Sequence, residues 1–367
     1  MTFLPLKSVV SAFQASLSGS SDVSCGFAVA DLKVELPAEI AVVGGEVMVK
    51  LASSAEPVNP AILTKVTITL GATCTPETME PPTQPISPWT VVPSGTEQSL
   101  HGVWSDAAST WIVGMGGKVL HSKDGLLTLA AVDLGTQASF SAVAKVDDVV
   151  VAAGELGMAW VREPSSGSWS PASVASTAHI HGVAPRGDLL VGVGASGSIL
   201  LSADKGQHFD LLGAFTQEDL NAVVAAPDGT LWAAGAFGTV LFSDDVKKWK
   251  AIEGEGTAHW YSLCVAPNGR VLVAGEGGRM AVYTLGGGKP VETGVGKHLY
   301  AVHCLENGAI LAVGAAGTAI WSSDGSSFTT LSPPTTESLH AISSLGGGKL
   351  LIVGTGGTLL KLDTTLL

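Results

Sequence analysis

The stretch Leu190-Val-Gly-Val-Gly194-Ala-Ser-Gly197-Ser-Ile-Leu-Leu-Ser202 places two apolar segments around a Gly-x-x-Gly turn. Six similar turns occur in the chain, and neighbouring turns are separated by steps of 40, 40, 41, 40, 39 and 40 residues. The seven pairs are Gly114/Gly117, Gly154/Gly157, Gly194/Gly197, Gly235/Gly238, Gly275/Gly278, Gly314/Gly317 and Gly354/Gly357. A period of about 40 residues without a helical pattern is typical of propeller blades. The sequence therefore predicts seven blades.

A second anchor precedes each glycine pair and has a small residue in its middle. The seven anchors begin at Leu100, Phe140, Ile180, Leu220, Trp260, Leu299 and Leu339. The fourth repeat predicts strands over 220–226, 230–235, 239–243 and 249–252, with Pro227-Asp-Gly229 as the first hairpin turn. Four antiparallel strands in about 40 residues make one blade. The small anchor residue is expected where strands crowd near the ring axis.

The last repeat ends after one strand, 358–363, and has no aromatic fourth strand. Pro88-Trp89-Thr-Val-Val, ahead of the first repeat, matches the fourth-strand segments at Trp169 and Trp249. We therefore predict that 89–93 pairs with 358–363 and closes the ring, which removes an exposed sheet edge.

The first 75 residues predict a separate small α+β domain. Apolar residues within 4–18 lie on one side of a helix, and three alternating segments, 32–36, 47–51 and 66–70, predict an antiparallel sheet. Five prolines between 76 and 88 predict a stiff linker over 76–87. The predicted organisation is thus a domain over 1–75, a linker over 76–87 and a propeller over 88–367. The fold class is mainly β.

Composition limits the possible partners. The net charge is −13 and no cluster of Lys and Arg stands out, so nucleic acid is not an expected partner. No signal peptide and no membrane span are expected. Four scattered cysteines, Cys25, Cys74, Cys264 and Cys304, are expected to be reduced core residues, with Cys264 and Cys304 on opposite faces. These features together favour a cytoplasmic location.

The turn between the third and fourth strands carries a further signature. Ser202-Ala-Asp204-Lys-Gly206-Gln-His-Phe209 fits S-x-D-x-G-x-x-[FW], and degenerate versions begin at Ser243 and Ser322. Here the sequence resembles the Asp-box, or bacterial-neuraminidase-repeat, superfamily, and within it propellers similar to photosystem II stability/assembly factors. The resemblance covers 88–367. It implies that the Asp is structural, accepting backbone N–H bonds while the aromatic residue packs between strands.

The order of elements in residues 3–72 resembles the small trypsin-co-occurring domains of bacterial conflict systems. The matching features are the initial helix, Phe27 through Glu35-Leu36, Gly44-Gly45-Glu-Val-Met-Val and Val66-Thr-Ile68-Thr-Leu70. The resemblance implies that this domain associates with a trypsin-like peptidase or another effector. The alternative is an unrelated small interaction domain.

No catalytic constellation is found, so we expect neither enzyme activity nor a cofactor. Gly192-x-Gly194-x-x-Gly197 matches a dinucleotide fingerprint by letter, but a strand follows it where a helix is required. A sialidase needs three arginines that bind one carboxylate of its substrate, and this chain has four arginines. At most Arg279 and Arg162 are expected near the mouth of the ring, whereas Arg186 and Arg270 are expected at the opposite face. His179-x-His181 lacks a third ligand, so no metal site is expected.

One set of polar positions indicates recognition. The second residue of each anchor is His101, Ser141, His181, Asn221, Tyr261, Tyr300 and His340. These residues are expected to surround a mouth on the face that carries the Gly-x-x-Gly turns, where a peptide, sugar or small ligand would bind. Nearby turn residues differ from blade to blade: Met115, Glu155, Leu156, Phe237 and Glu276. The alternative is that these polar side chains bond to backbone groups of the neighbouring blade.

The sequence therefore favours a non-catalytic recognition or scaffold protein. Its propeller face would bind a protein or another ligand, and its N-terminal domain would dock a peptidase or effector of a bacterial defence system. Two alternatives stay open: a glycan-binding or glycoside-processing propeller, and an assembly factor for a membrane complex. A shortage of arginine, four in the chain, speaks against the docking surface that the assembly-factor resemblance implies.

Overall fold

The computed structural model describes residues 4–5, 31–43, 46–51, 64–71, 87–254 and 256–367. The chain divides into two compact units, Met1–Gln84 and Pro85–Leu367. The described strands of the first unit form one antiparallel sheet in the order β1-β3-β2-β4. They are β1 (Leu4–Pro5), β2 (Asp31–Val43), β3 (Glu46–Leu51) and β4 (Thr64–Gly71).

The three strands predicted for the first unit are confirmed within β2, β3 and β4. The predicted helix is wrong for its first two residues, because Leu4 and Pro5 pair with Val49 and Met48 as an edge strand. Proline suits an edge strand, since it has no N–H to donate. The rest of the predicted helix, both Cys25 and Cys74, and the linker up to residue 86 lie outside the described residues. The division at Gln84 falls within the predicted linker, and the domain boundaries stay a prediction.

The second unit is a ring of seven antiparallel sheets, the blades, which are numbered here in the order of the repeats. Blade 1 consists of β6 (Leu100–Ser105), β7 (Thr110–Gly114), β8 (Val119–Ser122) and β9 (Ala130–Val132), and blade 2 of β10 (Phe140–Val146), β11 (Val149–Gly154), β12 (Ala159–Arg162) and β13 (Trp169–Pro171). Blade 3 consists of β15 (Ile180–Arg186), β16 (Leu189–Gly194), β17 (Ser198–Ser202) and β18 (His208–Ala214). Blade 4 consists of β19 (Leu220–Ala225), β20 (Leu231–Gly235), β21 (Val240–Ser243) and β22 (Lys250–Ala251). A short strand, β14 (Ser173–Val174), pairs in parallel with β18.

Blades 5 and 6 follow the same plan, and blade 7 takes its fourth strand from the start of the unit. Blade 5 consists of β23 (Trp260–Val265), β24 (Val271–Gly275), β25 (Met280–Thr284) and β26 (Gly287–Val291). Blade 6 consists of β27 (Leu299–Cys304), β28 (Ile310–Gly314), β29 (Ala319–Ser322) and β30 (Thr329–Leu331). Blade 7 consists of β31 (Leu339–Gly346), β32 (Lys349–Gly354) and β33 (Leu359–Asp363), with β5 (Trp89–Val91) as its fourth strand. The first strands of neighbouring blades contact one another around the whole ring.

The pairing of β5 with β33 confirms the predicted closure. Trp89, Thr90 and Val91 lie opposite Leu362, Lys361 and Leu360. Two further backbone bonds extend the pairing, from Val92 N to Leu359 O and from Asp363 N to Pro88 O. The predicted seven-bladed propeller is therefore confirmed. Every blade has the four predicted strands, and blade 3 has β14 as a fifth.

The core lies between the blades, where each sheet packs its two faces on its neighbours. The second strands β7, β11, β20, β24 and β28 are buried at every residue, because they lie between two adjoining blades. Burying one Leu or Val of this kind contributes about 1.5–3 kcal/mol. The apolar runs in the second strand of each repeat follow from this burial on both faces.

The two glycines of each Gly-x-x-Gly turn are required for different reasons. In blade 3, a Cβ on Gly194 would collide with the carbonyl oxygen of His179. Gly197 has φ +69°, in the left-handed region that favours glycine, and a Cβ there would also collide with the carbonyl oxygen of Thr216. The first glycine thus lies against the segment that enters its own blade, and the second lies against the segment that enters the next blade. Six of the seven turns form a single helical turn: Glu155–Gly157, Ala195–Gly197, Ala236–Gly238, Glu276–Gly278, Ala315–Gly317 and Thr355–Gly357. The chain ends with one more, Thr364–Leu366.

The Ser-x-Asp turns have the geometry that was expected for them. Asp204 Oδ1 accepts hydrogen bonds from Ser202 Oγ and His208 N, both at 2.9 Å, and Ser202 Oγ accepts one from Gly206 N at 2.7 Å. Phe209 is buried beside them. A fourth turn of this kind, at Ser122 and Asp124, was missed in the sequence because Leu126 stands where the motif has glycine and Leu129 where it has an aromatic residue. Membership of the Asp-box superfamily stays a prediction.

The prediction for Cys264 and Cys304 is wrong. They form a disulfide between the first strands of blades 5 and 6, with Cα atoms 5.9 Å apart, which is within the usual range. The prediction assumed that alternate residues point to opposite faces, as they do within one sheet. These two strands belong to different sheets that are rotated about the ring axis, and each carries a register shift after its first residue, so the alternation does not transfer.

Candidate functional site

The first strand of every blade begins at the face that carries the Gly-x-x-Gly turns, here the mouth face. It runs to the opposite face, the hairpin face, where it turns into the second strand. A cavity of about 480 Å³ lies at the centre of the ring. Five of the predicted site residues line it: His101, His181, Tyr261, Tyr300 and His340. Asn221, Ser141 and Phe237 do not.

Two of the polar positions connect neighbouring blades, as the structural alternative expected. Asn221 Nδ2 donates to the carbonyl oxygen of Trp260 at 2.7 Å. His181 Nδ1 lies 3.2 Å from the carbonyl oxygen of Leu220, which assigns the proton to Nδ1. Among the described residues, Tyr261, Tyr300 and His340 form no hydrogen bond of this kind. These three side chains are therefore available to a ligand.

The side chains of blades 1, 7, 6 and 5 form a continuous series of rings around one side of the mouth, which we call the ring arc. Its members are His101, His340, Tyr300 and Tyr261, and the centroids of successive rings lie 5.5, 5.2 and 5.5 Å apart. His298 lies against the two tyrosines, 6.0 Å from Tyr261 and 6.1 Å from Tyr300. The arc thus offers aromatic surface to the cavity over four adjacent blades.

Burial governs the protonation of the arc. It lowers the pKa of His340 to about 4, with a smaller contribution from His101 beside it. Burial also lowers the pKa of His101, and this effect outweighs the Glu155 carboxylate and the hydrogen bond to the Phe140 backbone, which both raise that pKa. Burial raises the pKa of the Tyr261 hydroxyl, and Glu276 and Tyr300 raise it further. At neutral pH both histidines and Tyr261 are therefore uncharged.

Glu155 and Glu276 directly follow the first glycine of two Gly-x-x-Gly turns. Glu155 Oε2 accepts a hydrogen bond from Ser139 N at 2.9 Å, and Glu276 Oε2 accepts one from His259 N at 3.4 Å. The bond from Ser139 lowers the pKa of Glu155. These bonds hold two carboxylates at the mouth face, one on blade 2 and one on blade 5.

Large apolar side chains are exposed on the same face. Met115, Leu156 and Phe237 are 44%, 65% and 59% exposed, and Phe237 packs on His259 at a ring distance of 4.6 Å. Leu156 and Phe237 have φ of +54° and +51°. The same position of the turn has a positive φ in every blade, so the turn itself imposes this conformation. The mouth is therefore bordered by apolar side chains on at least three blades.

Sequence reasoning missed three contributors to this region. His298 directly precedes the anchor of blade 6, and Asp219 occupies the equivalent position before the anchor of blade 4. Each side chain accepts a hydrogen bond from the turn of the preceding blade: His298 from Gly277 N at 3.0 Å, and Asp219 from Ser196 N at 2.7 Å. This shared position was the signal that could have identified His298. The disulfide and the half-buried His303 beside it line the cavity further from the mouth.

The arginines are not arranged as a carboxylate clamp. Arg162, which was expected near the mouth, ends β12 away from it and lies 5.3 Å from the ring of Trp111. Arg186 donates to the carbonyl oxygens of Gly229 and Asp244 at the hairpin face, at 2.5 and 2.7 Å. Within the described ranges, no three His, Cys, Asp or Glu side chains are placed to hold a metal ion; His179 and His181 pack ring to ring at 6.5 Å. None of the described residues forms a helix long and apolar enough to cross a membrane.

Comparison with known proteins identifies the fold but not a family. No protein-family model and no curated protein matches the chain. Among solved structures, it is similar to YCF48 bound to D1 peptide, with 16% identity, a TM-score of 0.66, and 76% of this chain and 96% of that chain covered. It is similar to virginiamycin B lyase from Staphylococcus aureus, with 10% identity, a TM-score of 0.66 and coverages of 75% and 98%. It is also similar to the WD40 propeller domain of Doa1, with 17% identity, a TM-score of 0.63 and coverages of 74% and 94%.

Proposed function

We propose that the propeller is a non-catalytic recognition module that binds an extended segment of a partner protein at its mouth face. The observation that carries this proposal is the ring arc: four rings from adjacent blades border a cavity of about 480 Å³. Concave sites lined by aromatic groups and a few polar groups are typical binding sites. Aromatic residues are also enriched where proteins bind one another.

The apolar border supports a protein as the ligand. Met115, Leu156 and Phe237 extend the contact surface beyond the cavity, which a small sugar would not reach. The similarity to a propeller solved with a bound peptide agrees with this assignment. The similarity to a lyase keeps an enzymatic role as the competing hypothesis. A glycan ligand and a role in assembling a membrane complex are the remaining alternatives.

A random-peptide selection on the full chain tests the proposal. Affinities of selected peptides are then measured for the parent protein, for Phe237→Ser and for the matched control Leu285→Ser. The side chain of Leu285 is 65% exposed, close to the 59% exposure of Phe237, but it lies at the hairpin face between β25 and β26. We expect Phe237→Ser to weaken binding at least fivefold and Leu285→Ser to leave it unchanged. Equal losses in both variants, or no enriched peptide, would reject a peptide site at the mouth.

We further propose that the N-terminal unit docks a second protein, a trypsin-like peptidase or another effector of a bacterial defence system, in the cytoplasm. This proposal rests on the sequence resemblance of residues 3–72. Pull-down of the products of neighbouring genes by the full chain and by the propeller alone tests it. A partner retained only by the full chain supports docking by the N-terminal unit, and equal recovery by both baits contradicts it.

A further inference from the structure

The ring arc has a defined electrostatic surrounding. The residues that line the cavity include histidines and tyrosines but no Lys, Arg, Asp or Glu. The charged groups that act on the ends of the arc are carboxylates: Glu155 on His101, and Glu276 on Tyr261. The two carboxylates thus flank the arc at its two ends, on blades 2 and 5.

The rings of the arc are suited to a positive group. The face of a tyrosine ring is negative and attracts a cation that lies within about 6 Å of its centre. His101 and His340, whose pKa values burial lowers, are uncharged at neutral pH and do not repel a cation. The bond from Gly277 N to Nδ1 of His298 shows that this nitrogen carries no proton. All five rings therefore favour or tolerate positive charge.

A negatively charged ligand fits the same site poorly. It would approach two fixed carboxylates, and no basic side chain lines the cavity to neutralise it. An uncharged ligand can donate hydrogen bonds to the carboxylates, but it gains no attraction between opposite charges. The chain as a whole is also acidic, with a net charge of −13, which speeds the approach of basic partners.

We propose that the mouth binds a lysine or arginine side chain of the partner protein, seated against Tyr261 and Tyr300 at the end of the arc where Glu276 lies, with Glu155 adding negative charge at the other end. This inference rests on the proposed function and defines the chemistry of the partner segment. The cationic head would meet the ring faces of the two tyrosines and the free carboxylate oxygen of Glu276. The apolar stem and its neighbours would lie on the exposed side chains at the rim of the mouth.

Three peptides that differ at one position test this inference. Each has the same uncharged Gly/Ser flanks and a fluorescent label, and carries lysine, acetyl-lysine or glutamate at the centre. Binding to the full chain is measured by fluorescence polarisation at 0.15 M salt, which screens the long-range effect of net charge. We expect the lysine peptide to bind about tenfold more tightly than the acetyl-lysine peptide, and the glutamate peptide to bind most weakly.

Two double variants separate the rings from the charge. Tyr261→Leu with Tyr300→Leu should reduce the affinity for the lysine peptide to that of acetyl-lysine, whereas Tyr261→Phe with Tyr300→Phe should retain it. Glu155→Gln with Glu276→Gln, which keeps an acceptor for Ser139 N and His259 N, should weaken only the lysine peptide. If the leucine variant does not fold, tetramethylammonium replaces it as the probe and should displace the lysine peptide from the parent protein more effectively than sodium.

Equal affinities for lysine and acetyl-lysine would overturn the inference, as would equal competition by tetramethylammonium and sodium. Its failure can be told apart from failure of the proposed function. If selected peptides bind at the mouth but carry no basic residue, the recognition function stands and only the cationic partner is rejected.

Discussion

Trp89 lies opposite Leu362 in blade 7, so that the first and last strands of the ring belong to one sheet. Trp89 is 8% exposed and packs with blades 6 and 7. We expect Trp89→Ala to reduce the free energy of unfolding by about 3–5 kcal/mol, as other truncations of buried Trp do, and to lower the melting temperature of the whole ring.

Denaturant unfolding measures this effect, and Leu127→Ala is the matched control because Leu127 is 84% exposed. The control should change stability by no more than about 0.5 kcal/mol. If Trp89→Ala costs as little as the control, β5 does not hold the ring closed.

The disulfide between Cys264 and Cys304 connects blades 5 and 6 across 40 residues. Closing a loop of this length in the unfolded chain stabilises a protein by about 2–4 kcal/mol. We expect a reducing agent to lower the unfolding midpoint of the parent protein. The midpoint of the double variant that combines Cys264→Ser and Cys304→Ser should not change. An equal response of both proteins would mean that another pair of cysteines is responsible.

Trapping of free thiols in source cells, followed by mass spectrometry, also bears on location. Disulfides persist mainly in oxidising compartments. A reduced Cys264 in cells would agree with the predicted cytoplasmic location, and an oxidised one would contradict it.

Ser202 satisfies a buried backbone donor, Gly206 N, in the Ser-x-Asp turn of blade 3. Removing the acceptor leaves that N–H without its partner, which costs about 1–3 kcal/mol. We expect Ser202→Ala to lower stability by this amount and Ser166→Ala, at an exposed loop position, to be neutral. No difference between these two variants in thermal unfolding would show that the turn is not structural.

His121 stacks on Trp111 with ring centroids 3.6 Å apart, and its Nε2 is buried. Burial, together with smaller contributions from the neighbouring charges of Lys123 and Arg162, lowers its pKa to about 4. The unfolded chain therefore binds more protons between pH 4 and about 6.5, so this contribution to stability is complete above about pH 6.5 and is lost as the pH falls toward 4. His340 contributes in the same direction.

Urea unfolding at a series of pH values tests this contribution. We expect His121→Phe, which keeps a ring on Trp111, to lose less stability on acidification than the parent protein. Identical pH dependence in both proteins would mean that His121 titrates normally.

Much of the propeller could be predicted from local sequence, because its glycines are fixed by close backbone contacts. Gly194 and Gly197 each stand where a Cβ would collide with a carbonyl oxygen, so the turns keep their spacing in every blade. The closing strand could also be found, since Trp89 repeats the fourth-strand pattern of other blades. The central positions followed from the same alignment, and five of them meet at one cavity.

What could not be predicted depends on relations between blades. The disulfide was missed because the relative rotation of two neighbouring sheets cannot be derived from the sequence of either repeat. The roles of Asn221 and Tyr261 could not be separated either, since one bonds to the next blade and the other faces the cavity. The N-terminal helix was predicted from periodicity over a segment that begins with a paired strand at Leu4.

Hydrogen exchange of the full chain, with and without a selected peptide, tests most directly whether a partner segment binds at the mouth. We predict slower exchange at the start of β23, β27 and β31 and in the turns around Glu155 and Glu276, with unchanged exchange at the hairpin face. Protection confined to the hairpin face or the outer strands would contradict the account.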